Sequence, residues 1–312
     1  MARKVIIDVD PGIDGAVALV MALFDPRLEV VAVTATGGRV RPEQATQNIQ
    51  TLIEQLDPPR WPRIGAAAPD QLVEIDTRQI NGHDGLGNSS LAGAGLVKVL
   101  PADKILIEEV RAAPDEVTLL TLGPLSNLAQ AMQRDSAWTG LVGRLIASGG
   151  SLSAEGDATP AAEFNIYADP NAAKLVLSSR MTKTLVPLDV MRQLTFSFDL
   201  LDELPKELTR AGKVLRKILP YAFRAQRQIL GREQIQLNAV VPLVMLTNPE
   251  LFETHAQAID VECEGTLTTG MTVFDRRPVQ EWRNNIEVAG SMDVTSVRDC
   301  VLRALQHAGS AS

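Results

Sequence analysis

Three aspartates fall within seven positions near the start of the chain, in Val5-Ile6-Ile7-Asp8-Val9-Asp10-Pro11-Gly12-Ile13-Asp14-Gly15-Ala16. Carboxylates this close repel one another, and burying them requires a cation, a proton or a ligand in compensation. Such a group can hold a hard divalent cation or supply a general base. A helix N-cap accounts for one acid, Asp10 ahead of Pro11, but not for three. A second polar segment, Gly156-Asp157-Ala158-Thr159-Pro160-Ala161-Ala162-Glu163-Phe164-Asn165, sets Asp157, Glu163 and Asn165 on one irregular stretch. Neighbouring carboxylate and amide groups suit sugar hydroxyls, which both donate and accept hydrogen bonds.

Two further segments bear on the same chemistry. Gly82-His83-Asp84-Gly85-Leu86-Gly87 reads as a flexible polar loop folding near a site. With no strand before it and no clear helix after it, it does not fit a dinucleotide loop. Leu122-Gly123-Pro124-Leu125-Ser126-Asn127-Leu128-Ala129 reads as a strand end turning into a helix beside the first strand. Asp8-Val9-Asp10 also matches the opening of an aspartyl phosphatase, but Pro11-Gly12 and the other segments fit that poorly.

These groups need a scaffold, and the apolar patterning supplies one. Short, nearly continuous apolar runs at Lys4–Asp8, Leu28–Thr34, Val117–Leu122, Arg144–Ala147 and Lys183–Leu188 read as parallel strands covered on both faces. Helical spacing falls between them, at Pro42–Leu56, Pro124–Met132 and Pro170–Leu177, each opening on a proline. Residues 200–247 read as mostly helical and His255–Ala289 as strands. Asp293 is placed to cap a last helix through Ala308. The expected fold is α/β: a single domain over 1–312, with a doubly wound, mostly parallel, Rossmann-like open sheet, helices on both faces and a small antiparallel addition. The segments Ala67–Gly95 and Ser148–Asn165 are long for plain connections and are expected to carry function.

Bulk properties narrow the partners. The 312 residues carry a net charge of −8, which argues against nucleic acid or an anionic membrane. Hydrophobic residues make up 45% and charged residues 22%, the balance of a soluble globular protein. No signal peptide is visible, and no apolar run reaches the roughly 20 residues of a membrane span. Cys263 and Cys300 read as buried free thiols, consistent with a cytoplasmic protein. His83, His255 and His307 are scattered, against a histidine zinc site or a Ser-His-Asp triad.

Taken together, the Asp-x-Asp-Pro-Gly-x-Asp opening, the Ala-Glu-Phe-Asn stretch, Thr269–Arg277 and Asn285–Ala289 make the chain resemble the inosine-uridine-preferring nucleoside hydrolases over nearly its whole length. The resemblance implies hydrolysis of the N-glycosidic bond of ribonucleosides. It implies a calcium ion at the strand ends that binds the ribose diol and the attacking water, and no organic cofactor. The position of Asp10 would ligate the ion and take the water's proton. Asp14, Glu163 and Asn165 would hold ribose hydroxyls. Asp157, Phe164 and Asn238 also fall at substrate-facing positions, and Ser126 at a metal-side one. The partner expected is a nucleoside or ribose-like small molecule, and the assembly a homodimer or homotetramer.

The chain departs from this pattern where the ion belongs. The second of two adjacent aspartates is Gly15, and a late His-Asp pair falls on Asn238-Ala239. The asparagine usual after the second strand is Arg39, the one before Thr-Pro-Ala-Ala is Asp157, and a loop histidine is Asn81. Two anionic ligands are lost and a fixed cation arrives. The expectation is a weak or absent metal site at Asp10 and Ser126, with Arg39 in or near the vacated position, paired with Asp10, Asp14 or Asp157. Two functions follow: a hydrolase with Asp10 as general base, or a catalytically degenerate nucleoside- or ribose-binding protein. Base preference is not legible. Tyr221, Phe223 and Arg227 are candidate base contacts that read equally as helix core or surface.

Overall fold

The computed structural model describes residues 2–312 except 69–71, 74, 94–96 and 154. Part of the Ala67–Gly95 loop therefore lies outside the described residues. The strands are β1 (Arg3–Val9), β2 (Leu28–Ala35), β3 (Arg63–Ala66), β4 (Leu100–Pro101), β5 (Thr118–Thr121), β6 (Arg144–Ser148) and β7 (Lys183–Val186). They are followed by β8 (Thr195–Phe196), β9 (Ile235–Gln236), β10 (Phe252–Gln257), β11 (Ile259–Val261), β12 (Thr272–Phe274) and β13 (Ile286–Met292). Nine of them form one sheet in the order β10-β13-β7-β6-β5-β1-β2-β3-β4. Its neighbours pair parallel, except β10 against β13. The antiparallel edge is the addition expected from the tail, and β8-β9 and β11-β12 are separate two-stranded ribbons.

The chain winds outward from β1 to β4, then returns to β5 on the other side of β1 and winds outward again. The crevice between β1 and β5 is thus the topological switch point, where open sheets of this kind place ligands beyond the strand C-termini. The β1 sequence explains its central place. Val5, Ile7 and Val9 enter one apolar cluster while Ile6 enters the other, so side chains alternate between two buried faces. The helix Ile13–Phe24 that follows is buried except at Asp14. It packs beneath the last helix, Val294–Ala311, which Asp293 caps by accepting the Ser296 N–H at 3.0 Å.

Most elements sit where the apolar pattern puts them, and the differences have local causes. The run Lys183–Leu188 stops as a strand at Val186, because Pro187 has no N–H for the ladder and a one-turn helix, Leu188–Met191, begins behind it. The helix expected over Pro124–Met132 runs instead from Ser126 to Arg134, with Pro124 left in the turn. Residues 200–247 hold the helices Leu200–Glu203, Arg210–Leu230 and Val240–Thr247, interrupted by β9. Cys263 and Cys300 are free but half-buried rather than buried, a correction to the expectation. Among the described residues no helix is long and apolar enough to cross a membrane.

Candidate active site

Asp10 is the first residue past β1 at the switch point, and it is 2% exposed. Pro11 and Gly12 then turn the chain tightly, with the Gly12 N–H donating to the Asp10 carbonyl at 2.7 Å. Asp14 follows in the first turn of the helix, its side chain 15% exposed, with Oδ1 accepting the Gly15 N–H at 2.9 Å. Next door, β2 ends and Gly37-Gly38-Arg39 folds back over Asp10. The Arg39 N–H donates to Asp10 Oδ2 at 3.3 Å. Only glycine permits that approach at position 38, where a Cβ would lie 2.8 Å from Asp10 Oδ2.

The side chain of Arg39 then fills the space between the acids. Its Nε lies 3.5 Å from Asp10 Oδ2 and its terminal nitrogen 3.6 Å from Asp14 Oδ2. Its guanidinium stacks on the Phe164 ring at 4.8 Å from the centroid. Gly12 makes the room, since a Cβ there would sit 2.5 Å from Arg39 Cδ. The Thr77 hydroxyl donates to the Arg39 carbonyl at 2.7 Å and fixes the turn. The expected pairing of Arg39 with Asp10 and Asp14 is thus present, and Asp157 and Glu163 add to the field around it.

The opposite wall comes from the loop after β6. Glu163 Oε2 accepts N–H groups from Gly150 at 2.9 Å and Ile166 at 3.1 Å, which caps the short helix Phe164–Ala168. Asp157 Oδ1 accepts the Phe164 N–H at 2.8 Å. Asn165 Nδ2 donates to the Ser148 carbonyl at 3.1 Å, while its Oδ1 is buried with no partner among the described residues. Asp10, Asp14, Arg39, Asp157, Glu163 and Phe164 are therefore one cluster, and Asn165 is next to it in the chain.

Burial is the main influence on the acids. It pushes Asp10 up to about 7, with Arg39 pulling the other way and Asp14 adding to the rise. It also raises Glu163, to about 8, with Asp157 reinforcing it. Asp157 is raised by burial against the pull of Arg39. For Arg39, burial opposes the charge, but Asp14, Asp10, Asp157 and Glu163 outweigh it and hold the guanidinium cationic. Raised affinity for protons on the deepest carboxyls, and the Arg39 guanidinium, are how this site meets the cost of its crowded acids.

Other expected residues lie elsewhere. Asp8 is separated from Asp10 and Asp14: its Oδ1 accepts the Thr34 hydroxyl at 2.5 Å and Asn127 Nδ2 at 2.7 Å. It ties β1 to β2 and to the helix Ser126–Arg134 instead of serving the cluster. The Ser126 hydroxyl donates to Asp169 Oδ2 at 2.6 Å and lines a small separate cavity with Thr36, Gly37, Asn127 and Asp169. Asn238 precedes the helix Val240–Thr247 and is half-buried, with Oδ1 unpartnered among the described residues. Tyr221 packs on Gly87, Phe223 is buried in the core, and Arg227 is exposed and pairs with Glu233. His83, His255 and His307 are all exposed.

The polar loop does fold against the site. Asn81 Oδ1 accepts the Ile13 N–H at 3.4 Å, and Asn48 Nδ2 donates to the carbonyls of Asp84 at 2.7 Å and Pro11 at 3.3 Å. Sequence reasoning missed Asn48 and Asn127, whose partners lie far along the chain. It placed Phe164 at the site without foreseeing that its ring would carry Arg39.

The resemblance implies a calcium ion here, and the residues present do not fit one. Calcium takes six to eight oxygen ligands. Asp10 and Asp14 face Arg39, position 15 has no side chain, and the late acidic position that the resemblance implies falls on Ala239. Among the described residues no group of three or more His, Cys, Asp or Glu is arranged to hold a metal.

Comparison with known proteins gives the same direction as the geometry. The family model for inosine-uridine preferring nucleoside hydrolases matches residues 5–299. Uridine nucleosidase 1 of Arabidopsis thaliana is 33% identical over 311 residues, covering 96% of this chain and 92% of that protein. The non-specific ribonucleoside hydrolase RihC of Shigella boydii is 31% identical over 306 residues, covering 98% and 99%. The solved plant nucleoside hydrolase PpNRh1 superposes with a TM-score of 0.90 at 30% identity, covering 98% of this chain and 99% of that one.

Proposed function

We propose, from the premise that this chain belongs to the inosine-uridine preferring nucleoside hydrolase family, that it hydrolyses the N-glycosidic bond of ribonucleosides at the Asp10 cluster. The observation that carries this assignment is the convergence of Asp10, Asp14, Asp157 and Glu163 on Arg39 at the β1/β5 switch point. Uridine and mixed ribonucleosides, the substrates in the relatives' names, are the first to try.

Asp10 is the general base. A carboxyl raised to about 7 is near the operating pH, so it is partly ionised and still basic enough to take a proton from water. That water oxygen bonds to C1′ of the ribose as the C1′–N bond breaks. The bond's electron pair leaves with the base, and the water's proton goes to Asp10. The transition state has oxocarbenium character, which nearby carboxylates stabilise. Asp14, Asp157, Glu163 and Asn165 are the residues assigned to hold the nucleoside, with Asn165 Oδ1, which has no partner among the described residues, free to accept a hydroxyl. No step here passes through a metal.

A second reading is favoured by the Arg39 pairs: a guanidinium on the catalytic acids suits a protein that binds nucleosides or ribose without turnover. Ribose release from a nucleoside panel separates the two. Release that disappears in Asp10→Asn supports the hydrolase, and a thermal shift with nucleoside but no ribose release supports the binder. A homodimer or homotetramer is proposed as the working assembly, measurable by light scattering. The cytoplasm is the proposed compartment, where the free Cys263 and Cys300 stay reduced.

A further inference from the structure

We infer that Arg39 is a built-in cation that takes the place of a divalent metal and grips the vicinal diol of the ribose, so that sugar binding by this chain is independent of calcium. This rests on the nucleoside reading for its ligand, but the exclusion of metal stands on the residues themselves.

Three observations carry it. First, the position is filled: the Arg39 side chain runs over Gly12, where even a Cβ would meet it at 2.5 Å, and reaches Asp10 and Asp14 at 3.5 Å and 3.6 Å. Second, a ligand is missing. Gly15 carries no side chain, and a Cβ there would lie 2.9 Å from Val9 Cγ2 and 3.1 Å from the Asp10 carbonyl oxygen, so a carboxylate at this position needs only a small shift of the Val9 side chain.

Third, the guanidinium is held by charge and by the Phe164 ring, and no hydrogen bond ties its Nε among the described residues. That nitrogen is buried, and the side chain is 20% exposed. The planar fork presents parallel N–H groups to two oxygens about as far apart as those of a carboxylate. Adjacent ribose hydroxyl oxygens offer a comparable pair of acceptors. Acceptors for their own protons are available in Asp14 and in Asn165 Oδ1, which is buried with no partner among the described residues. The fork matches two adjacent oxygens, which lysine's single ammonium does not.

The test uses the full chain, dialysed against a chelator, with radioactive calcium, D-ribose and uridine as probes. The wild type is expected to take up no stoichiometric calcium at 1 mM, and its ribose affinity and any ribose release are expected to agree within about twofold with and without the chelator. Arg39→Lys is expected to weaken ribose binding about tenfold, and Arg39→Asn more. The double variant Arg39→Asn/Gly15→Asp is expected to gain calcium uptake, with circular dichroism confirming that it is folded. Arg39→Lys supplies the test of the grip if the double variant does not fold. One equivalent of calcium on the wild type at micromolar affinity overturns the inference, as does ribose binding unchanged in Arg39→Lys and Arg39→Asn. A folded double variant as blind to calcium as the wild type overturns the assignment of Arg39 and position 15. Failure of the nucleoside reading looks different: the wild type ignores ribose and uridine at every calcium concentration, while calcium uptake still decides what Arg39 excludes.

Discussion

The ring of Phe164 carries the guanidinium of Arg39 at 4.8 Å from its centroid, while the Phe164 N–H is held by Asp157. The loop after β6 thereby fixes the guanidinium of Arg39 that the loop after β2 delivers. A face-on contact of this kind is worth about 1 kcal/mol when partly desolvated. Phe164→Leu keeps most of the apolar volume and removes the π face. It is expected to lower stability by about 1 kcal/mol and weaken ribose binding about fivefold, a factor of the same size. Urea unfolding and ribose titration measure the two effects.

Asp10→Asn retains the shape of the side chain and removes the base. Ribose release is expected to fall by about 10²- to 10⁴-fold, the usual contribution of a positioned base. Ribose affinity, measured separately, is expected to change little. A variant that releases ribose as fast as the wild type assigns the base elsewhere.

Glu163 provides a pH signature in stability. Burial, reinforced by Asp157, raises its pKa from the ordinary 4.5 to about 8. The folded state therefore binds a proton that the unfolded chain releases above pH 4.5. The stability this contributes is full below about pH 4.5, and is lost as pH rises through the folded value near 8. Unfolding free energy is expected to decline across that window, and Glu163→Gln to flatten the decline. A slope unchanged in Glu163→Gln assigns the proton to another group.

Asp8 is expected to behave as a structural acid. Asp8→Ala leaves the Thr34 hydroxyl and one Asn127 N–H without an acceptor in the interior and is expected to cost about 2–6 kcal/mol, from roughly 1–3 for each unsatisfied donor. Asp8→Asn keeps the accepting oxygen. Because burial raises Asp8 to about 7 against the Thr34 and Asn127 hydrogen bonds, the protonated acid resembles asparagine. Asp8→Asn is therefore expected to fall within about 1 kcal/mol of wild type at pH 6. Thermal unfolding of both variants measures the difference.

Much of the layout was readable from the chain because two-sided burial forces long apolar runs, as in Val5–Ile7 and Leu119–Leu120. The strands β3 and β4 were not, since four and two residues at a sheet margin leave too little pattern. In the site, Asp8/Asp10/Asp14 and Asp157/Glu163/Asn165 stood out as two separate groups, and only the family resemblance joined them. The detachment of Asp8 did not show, because its partners Thr34 and Asn127 lie 26 and 119 positions away. Nor did the fit of Arg39 over Gly12 and onto Phe164, which depends on how three separate turns meet. Residue types gave the candidates, and long-range packing decided which of them met.

The Asp14-bearing helix Ile13–Phe24 has the final helix, Val294–Ala311, as one of its main packing partners. The helix that carries Asp14 is thus braced by residues about 280 positions further along the chain, so the acidic corner owes its support to a distant contact rather than to its own neighbourhood.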